Sequence, residues 1–196
     1  MRVLVIYCHP VETSFAAALH AAVLGALAAE GHEAVDLDLY AEGFVPAMSR
    51  QERIDYRDPT RNHAAVQPYV DQLRAVEGVA LVFPTWWYGM PALLKGYFDR
   101  VWIPGVAFDI TPEGKVTTHR LRHIRHLAVI TTYGSPWWLI RLYLGDPVRK
   151  IFTRGLGRLC GPGCKMRFYA LYDMDRATPA KRAAFLAKVR AGMKHF

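Results

Sequence analysis

Residues 79–101 read VALVFPTWWYGMPALLKGYFDRV. The first five residues form a short continuous apolar run, which is typical of a strand buried on both faces of a parallel sheet. Pro84 ends that strand, and an aromatic loop follows it. Pro91 then opens a predicted helix that runs from Met90 to Trp102. A buried strand, a loop and a helix in this order form the repeating unit of an α/β fold.

The same alternation continues on both sides of this unit. Four more short strands are predicted, at Val3–Tyr7, Glu33–Leu39, Leu127–Thr132 and Met166–Tyr172. Helical patterns alternate with them over residues 13–30, 67–77, part of 136–159, and 178–193. Right-handed crossovers between parallel strands then predict a three-layer, doubly wound α/β domain, with a five-stranded parallel sheet and helices on both faces. Residues 40–62 are predicted to be a surface excursion with a short helical piece, and residues 105–117 a turn-rich segment with room for a hairpin.

Composition limits the possible classes of protein. The chain has 196 residues and 22.2 kDa, which predicts one domain over residues 1–196. Because 52% of the residues are hydrophobic, disorder is excluded as the main state. The formal net charge of +8 indicates an anionic partner, which could be a nucleotide, a nucleic acid or an acidic membrane surface.

The cysteines and histidines suggest no metal and no disulfide framework. Cys8 stands alone, while Cys160 and Cys164 flank a Gly-Pro-Gly turn, a spacing that matches neither a C-x-x-C redox pair nor a zinc knuckle. We therefore expect reduced structural cysteines and no metal site. The sequence shows neither the pattern of a signal peptide nor a membrane span, so a cytoplasmic location is expected.

Three predicted loops follow strands at the edge of the sheet where ligands bind in such folds. The first, residues 8–14, leads into a helix whose free N–H groups and dipole form an anion site. Thr13 and Ser14 add hydroxyl groups there, and His9 adds an N–H or a positive charge; alternatively, Thr13 merely caps the helix. The loop has no G-x-G-x-x-G and no P-loop motif, which disfavours a dinucleotide Rossmann site and a P-loop kinase.

The other two loops carry aromatic rings and hydroxyl groups. Residues 84–89 contain Trp86, Trp87 and Tyr88, whose faces can hold a planar ring. One of the two tryptophans is expected to be buried, because adjacent side chains on a strand-like path point in opposite directions. Residues 131–134 read Thr-Thr-Tyr-Gly. Together the three loops describe a slot for a flat heteroaromatic group with a phosphate tail, and a flavin matches that description.

These motifs resemble those of the NAD(P)H:quinone oxidoreductase (DT-diaphorase-like) family of flavodoxin-fold flavoproteins. The resemblance runs through HPVETSF (9–15), DLYAEGFVPAMSR (38–50), FPTWWYGMPALLKGYFDRV (83–101) and TTYG (131–134). It implies the strand order 2-1-3-4-5, non-covalent FMN or FAD, NAD(P)H as electron donor, and a homodimer with the active site at the subunit interface. The residues implied to line the phosphate side are His9, Thr13, Ser14, Phe15 and Ala16. Those implied to hold the isoalloxazine ring are Pro84, Thr85, Trp86, Trp87, Tyr88, Thr131, Thr132, Tyr133 and Gly134.

The sequence departs from the family pattern at three places. Ala16 stands where the family often has Asn, and Tyr133 stands where it usually has Gly, which predicts a bulky ring beside the flavin. The family's Tyr and His after this loop are not matched, and Tyr143 is the available substitute. We therefore predict Tyr133 and Tyr143 as catalytic residues and Phe108 as a substrate contact. The expected reaction is hydride transfer from NAD(P)H through the flavin to quinones or similar flat electrophiles.

Two other functions are compatible with parts of the sequence. Relatives in potassium-efflux systems suggest a regulatory flavoprotein subunit of a membrane transport system. The aromatic and basic segment Trp137–Phe152 could dock on a membrane surface or a membrane protein, although a dimer interface or a lid over the flavin explains it better. Nucleic-acid binding is not expected, because the basic run His119–His126 leads into a strand and its arginines are expected to point into solvent.

Overall fold

The computed structural model describes residues 1–196, apart from the side chain of residue 117. Its central sheet contains β1 (Arg2–Tyr7), β2 (Glu33–Asp38), β3 (Gly78–Pro84), β6 (His126–Thr132) and β7 (Lys165–Leu171). The strands lie in the order β2-β1-β3-β6-β7, and each neighbouring pair is parallel. Counted along the chain, this is the order 2-1-3-4-5, so the fold expected from the sequence is confirmed. The order reverses between β1 and β3, which places a ligand-binding crevice at their carboxyl ends.

Helices cover both faces of this sheet, as the sequence predicted. They are α1 (Phe15–Ala29), α2 (Arg50–Asp55), α3 (Gln67–Arg74), α4 (Ala92–Val101), α5 (Pro147–Lys150) and α6 (Pro179–Met193). Side chains of β1 alternate between two cores: Leu4 and Ile6 pack with α3 and α4, whereas Val3 and Val5 pack with α1 and α6. No helix among the described residues is long and apolar enough to span a membrane.

The excursions between the main elements have their own small structures. The segment 40–62 contains α2, which begins with a capping box formed by Ser49 and Glu52. Glu52 also forms an ion pair with Arg100 of α4 at 2.7 Å, and this anchors the excursion on that helix. The predicted hairpin is present as the antiparallel strands β4 (Phe108–Ile110) and β5 (Val116–His119).

The segment between β6 and β7 is helical but broken. A π-helical turn covers Leu139–Tyr143, α5 follows, and a second π-helical turn covers Ile151–Gly155 before a 3-10 turn ends at Cys160. Gly145 and Asp146 both have positive φ, at 69° and 52°, which interrupts a right-handed helix. Pro147 then restarts the helix at its first position, where its missing N–H is tolerated.

Candidate functional site

The three predicted loops come together at the carboxyl edge of β1, β3 and β6, which are neighbours in the sheet. Two hydrogen bonds join the second loop to the third. The Thr85 N–H donates to the Thr132 carbonyl oxygen at 2.8 Å, and the Thr85 and Thr131 hydroxyl oxygens lie 2.9 Å apart. A cavity of about 200 Å³ lies between these loops, and its lining consists of Thr85, Trp87, Tyr88, Tyr133, Gly134, Ser135 and Ile140.

The first loop supplies the start of α1. Ser14 caps this helix by accepting a hydrogen bond from the Ala17 N–H at 3.1 Å, so Ser14, and not Thr13, is the capping residue. Thr13 is not the cap because the chain is still in a turn at that position and enters the helix at Phe15. The remaining N–H groups of the first turn have no acceptor within the helix, and the dipole makes this end positive. The arrangement is suited to a phosphate group.

His9 connects the first loop to the aromatic loop. Its Nδ1 accepts a hydrogen bond from the Val11 N–H at 3.0 Å. The same Nδ1 lies 3.2 Å from the Val11 carbonyl oxygen, so both neutral tautomers of the ring find a partner in Val11. The His9 ring also lies 6.1 Å from the Trp86 ring, measured between centroids. His9 therefore links the backbone of the first loop to the ring of Trp86.

The aromatic loop is a tight turn with its rings in solvent. Trp86 and Gly89 exchange two backbone hydrogen bonds of 3.0 Å. The two residues between them have positive φ, 47° at Trp87 and 59° at Tyr88, as in a type I′ hairpin turn. Trp86 is 41% exposed and Trp87 96% exposed. The expectation that one tryptophan is buried is therefore wrong, because the chain turns here and does not continue as a strand.

The turn stores backbone strain at Trp87, which we expect a substitution to release. A bulky residue in the left-handed region costs on the order of 1–3 kcal/mol, and glycine adopts that region freely. Trp87→Gly should raise the free energy of unfolding of the cofactor-free protein by about 1 kcal/mol. Trp87→Ala removes the same ring and keeps the strained φ, so it is the matched control. Denaturant unfolding of dilute protein measures both variants, and equal stabilities would contradict the prediction.

Tyr133 lies in the wall of the small cavity, but its hydroxyl group is held by a buried carboxylate. The side chain is 1% exposed, and its ring stacks on Tyr172 with centroids 5.0 Å apart. Its hydroxyl donates to Asp146 Oδ1 at 3.2 Å, and Arg141 Nε lies 3.7 Å from Asp146 Oδ2. Burial, followed by the negative charge of Asp146, raises the pKa of Tyr133 well above its ordinary value. Tyr133 therefore keeps its proton at neutral pH.

Replacing Tyr with Phe should destabilise the protein at position 133 but not at position 97. Tyr133→Phe removes the bond to Asp146 and leaves a buried carboxylate with less support, so we expect a loss of about 2 kcal/mol. The Tyr97 hydroxyl is also buried, but it has no hydrogen-bond partner among the described residues. Tyr97→Phe should therefore be neutral or stabilising by up to about 1 kcal/mol. Chemical denaturation of both variants tests the difference, and losses of equal size would refute the assigned role of Asp146.

The other predicted site residues are only partly gathered around this cavity. Ala16 lies in the first turn of α1 and is buried in the core, and the Phe15 ring lies 6.5 Å from the Phe185 ring of α6, measured between centroids. The described lining of the small cavity includes neither Tyr143, which is 80% exposed, nor Phe108. Phe108 instead lines a larger, mostly apolar cavity of about 940 Å³, whose rim includes Gly89 and Met90 beside the aromatic turn.

Sequence reasoning missed Asp146 and a third cavity, which lies near α1. A signal for Asp146 exists in the sequence, since a Gly-Asp-Pro break interrupts an apolar segment. The third cavity has a volume of about 450 Å³ and is lined in part by Tyr7, His9, His20 and Asp38. His9 of the first loop also lines this cavity. The cavity therefore lies where the far end of a dinucleotide cofactor could extend beyond the first phosphate.

Comparisons with known proteins agree with this architecture. The model of a family described by a flavodoxin-like fold matches residues 1–191. An uncharacterised NAD(P)H oxidoreductase of Escherichia coli strain K12 is 32% identical over 108 residues, which are 55% of this chain and 55% of the relative. NAD(P)H dehydrogenase [quinone] 1 of Rattus norvegicus is 33% identical over 150 residues, 68% of this chain and 54% of the relative. The chain thus spans about half the length of these curated relatives.

Solved structures show the same fold over the whole chain. The crystal structure of Smu.1420 from Streptococcus mutans UA159 has a TM-score of 0.86 and 27% identity, and the match covers 100% of both chains. NAD(P)H:quinone oxidoreductase from Methanothermobacter marburgensis has a TM-score of 0.83 and 24% identity, covering 100% of this chain and 96% of that one. At 24% identity, the match to the Methanothermobacter marburgensis structure shows a shared fold and no more.

Proposed function

The chain belongs to the flavodoxin-like fold family, and on that premise we propose that it is a flavin-dependent NAD(P)H oxidoreductase that reduces quinones or similar flat electrophiles by two electrons. One observation supports this most directly. Two loops with hydroxyl groups and aromatic rings line a cavity and are joined by the Thr85–Thr131 hydroxyl pair, and the first loop supplies the capped start of α1 at the same edge of the sheet. The names of the relatives from Escherichia coli and rat agree with the proposed class of reaction.

The residues present match the chemistry of a flavin nucleotide. The start of α1, with Ser14 and Thr13, offers N–H and hydroxyl donors to a phosphate group. Thr85 and residues 131–134 offer polar groups to the edge of a ring, and the turn at Trp86–Tyr88 offers aromatic faces. When bound, the flavin supplies the hydride exchange itself. The protein has to orient the two flat reactants and exclude water from between them.

The buried Tyr133 has a positioning role in this proposal. Since its hydroxyl is held by Asp146, its main-chain atoms and ring form a fixed wall of the cavity. Neither Tyr143 nor Phe108 belongs to the described lining of the small cavity. Their proposed roles therefore require either a second copy of the chain or a change of conformation. Both lie on surfaces that a second copy could cover, which agrees with a shared site in a homodimer.

A homodimer would also cover the exposed apolar side chains of the segment between β6 and β7. Trp137, Trp138, Leu142 and Tyr143 are each more than half exposed. Apolar surface of this extent is typical of an interaction site. Light scattering on the purified protein measures its mass in solution, and a strict monomer would contradict the dimer. The relatives named above give no support to the alternative of a regulatory subunit of a membrane transport system.

The proposed activity has a direct test. The full chain, purified from cells, should be yellow and should oxidise NADH or NADPH with a quinone acceptor. Heat release followed by mass measurement then distinguishes FMN from FAD, and rates with the two donors distinguish NADH from NADPH. Cell fractionation checks the expected cytoplasmic location. A protein that binds neither flavin after incubation with excess FMN or FAD would overturn the proposal.

A further inference from the structure

A cavity with basic walls, called the basic cavity below, lies at the opposite end of the sheet from the candidate site. It has a volume of about 640 Å³ and is lined by residues of three segments: 122–126, which lead into β6, the turn 160–163, and the start of β7. Its basic lining residues are Arg122, Arg125, His126 and Lys165, and no acidic residue lines it. Because β6 has 7 residues, each rising about 3.3 Å, roughly 20 Å separate this cavity from the loops of the candidate site.

The sheet itself brings three of these basic residues together. His126 and Lys165 begin the neighbouring strands β6 and β7 and are paired in their parallel register. The Lys165 N–H donates to the Arg125 carbonyl oxygen at 2.8 Å, and the Arg125 N–H donates to the Glu77 carbonyl oxygen at 2.7 Å. The backbones of these residues are therefore fixed by the hydrogen bonds of the sheet edge.

The turn 160–163 packs against the fourth basic residue. Gly161 has a φ of 84°, a conformation that glycine adopts freely. A Cβ at Gly161 would lie 3.3 Å from Arg122 Cγ, so the aliphatic part of the Arg122 side chain lies against the turn. Ile124 and Cys160 also line the cavity and are buried, which makes its floor apolar. The cavity thus combines basic walls with an apolar floor.

The protein does not neutralise the positive charges of the basic cavity. Among the described residues, Arg122, Arg125 and Lys165 form no ion pair. By contrast, Arg120 pairs with Asp109 at 2.6 Å. Three positive charges that converge without a carboxylate repel one another and leave a positive potential, which a bound anion would offset.

Two other groups at this end of the sheet agree with a positive potential. Burial lowers the pKa of His126, and the charges of Lys165 and Arg167 lower it further. His126 is therefore mostly neutral at neutral pH and can donate or accept a hydrogen bond. Glu77 is exposed just before β3, but its carboxylate neither lines the cavity nor forms an ion pair among the described residues.

We propose that the basic cavity binds a small molecule that carries two phosphoryl groups, as in a diphosphate. The guanidinium groups of Arg122 and Arg125 match phosphate oxygens in pairs, and Lys165 adds a compact third charge. A phosphate monoester carries a charge of about −1.5 to −2 at neutral pH, so two phosphoryl groups balance the three fixed positive charges.

The size of the basic cavity favours a small organic ligand over a long polyanion. Small-molecule sites typically have volumes of about 300–1,000 Å³, and this cavity lies within that range. Its apolar floor gives an organic group a place to pack, whereas nucleic-acid sites spread their positive charges along a stripe. The site does not depend on the proposed flavin chemistry, because it lies at the other end of β6.

A titration of the full-length protein with inorganic pyrophosphate, followed by assigned amide NMR signals, tests this proposal. The signals of Gly161, Gly163 and Lys165 should shift and reach saturation. Pyrophosphate should also raise the melting temperature, because it binds the folded state. Shifts confined to the start of α1, or equal shifts with potassium chloride at matched ionic strength, would overturn the proposal. Binding of a single-stranded DNA oligonucleotide without any binding of pyrophosphate would overturn it as well.

Variants separate this site from general attraction to a basic protein. Lys165→Gln and Arg122→Gln should each weaken pyrophosphate binding about tenfold, since each removes a charged hydrogen-bond donor. Lys188→Gln is the matched control, because it makes the same charge change at an exposed position of α6 outside the cavity. It should change the affinity less than about twofold, since solvent and salt screen distant charges.

The melting temperature without pyrophosphate checks that the variants are folded. Lys165→Gln should be at least as stable as the unmodified protein, because it reduces the repulsion between like charges in the cavity. A folded Lys165→Gln variant that binds pyrophosphate poorly would assign the loss to the site. Equal weakening by Lys165→Gln and Lys188→Gln would instead contradict a specific site.

Discussion

Ser14→Asp is expected to preserve the fold and to abolish flavin retention. Asp caps a helix as well as Ser does, and its charge interacts favourably with the positive end of α1, so the cofactor-free protein should lose no stability. The same charge would lie where the proposed phosphate binds. Like charges in contact cost several kcal/mol, so the flavin Kd should rise on the order of 100-fold or more.

Ser14→Asn separates the charge from the cap. Asn has the size of Asp, caps equally well and is neutral, so it should retain most of the flavin affinity. Quenching of flavin fluorescence gives the Kd of each variant, and thermal unfolding of the cofactor-free proteins checks the cap. If the Asp and Asn variants bound flavin equally well, the start of α1 would not be the phosphate site.

Gly96→Ala should be severely destabilising, although Gly96 lies inside a helix where Ala is normally preferred. A Cβ at this position would lie 2.4 Å from the Cα and carbonyl oxygen of Pro46, far inside van der Waals contact. The helix propensity of Ala offers about 1 kcal/mol, whereas moving the Pro46 backbone should cost about 4 kcal/mol. The net loss of about 3 kcal/mol corresponds to a melting temperature lower by roughly 10 °C.

Gly25→Ala is the matched control for this prediction. Gly25 also lies in a helix interior, in α1, but nothing lies within 4 Å of the place of its Cβ. The same substitution should therefore stabilise the protein by about 0.5–1 kcal/mol. Calorimetry of both variants gives the comparison. A Gly96→Ala variant as stable as wild type would show that residues 40–62 do not pack on α4 as described.

Local patterns were sufficient to predict the sheet and the general position of the site. Short apolar runs, and period-two alternation at Glu33–Leu39, predicted the five sheet strands to within one residue at either end. Thr178 with Pro179 correctly predicted the start of α6. The three loops were predicted to share one edge because the carboxyl ends of parallel strands meet there, and the hydrogen bonds of Thr85 agree with this. Which residues contact a flavin remains a prediction.

The aromatic loop shows where local reasoning failed. Alternation of side chains assumes an extended chain, but the two backbone hydrogen bonds between Trp86 and Gly89 close a turn and force positive φ on the residues between them. The broken segment after β6 is similar, because positive φ at Gly145 and Asp146 interrupts an otherwise helical pattern. Neither conformation is the intrinsic preference of Trp, Tyr or Asp, so the surrounding structure imposes it.

The sequence by itself determined the α/β class and the alternation of elements, because hydrophobic periodicity and helix capping act over a few neighbouring residues. Tertiary structure alone decided three features: the buried contact of Tyr133 with Asp146, the approach of Gly96 to Pro46, and the basic cavity lined by Arg122, Arg125 and Lys165. Each joins residues whose meeting depends on how layers pack and loops close, and periodicity carries no information about those distances.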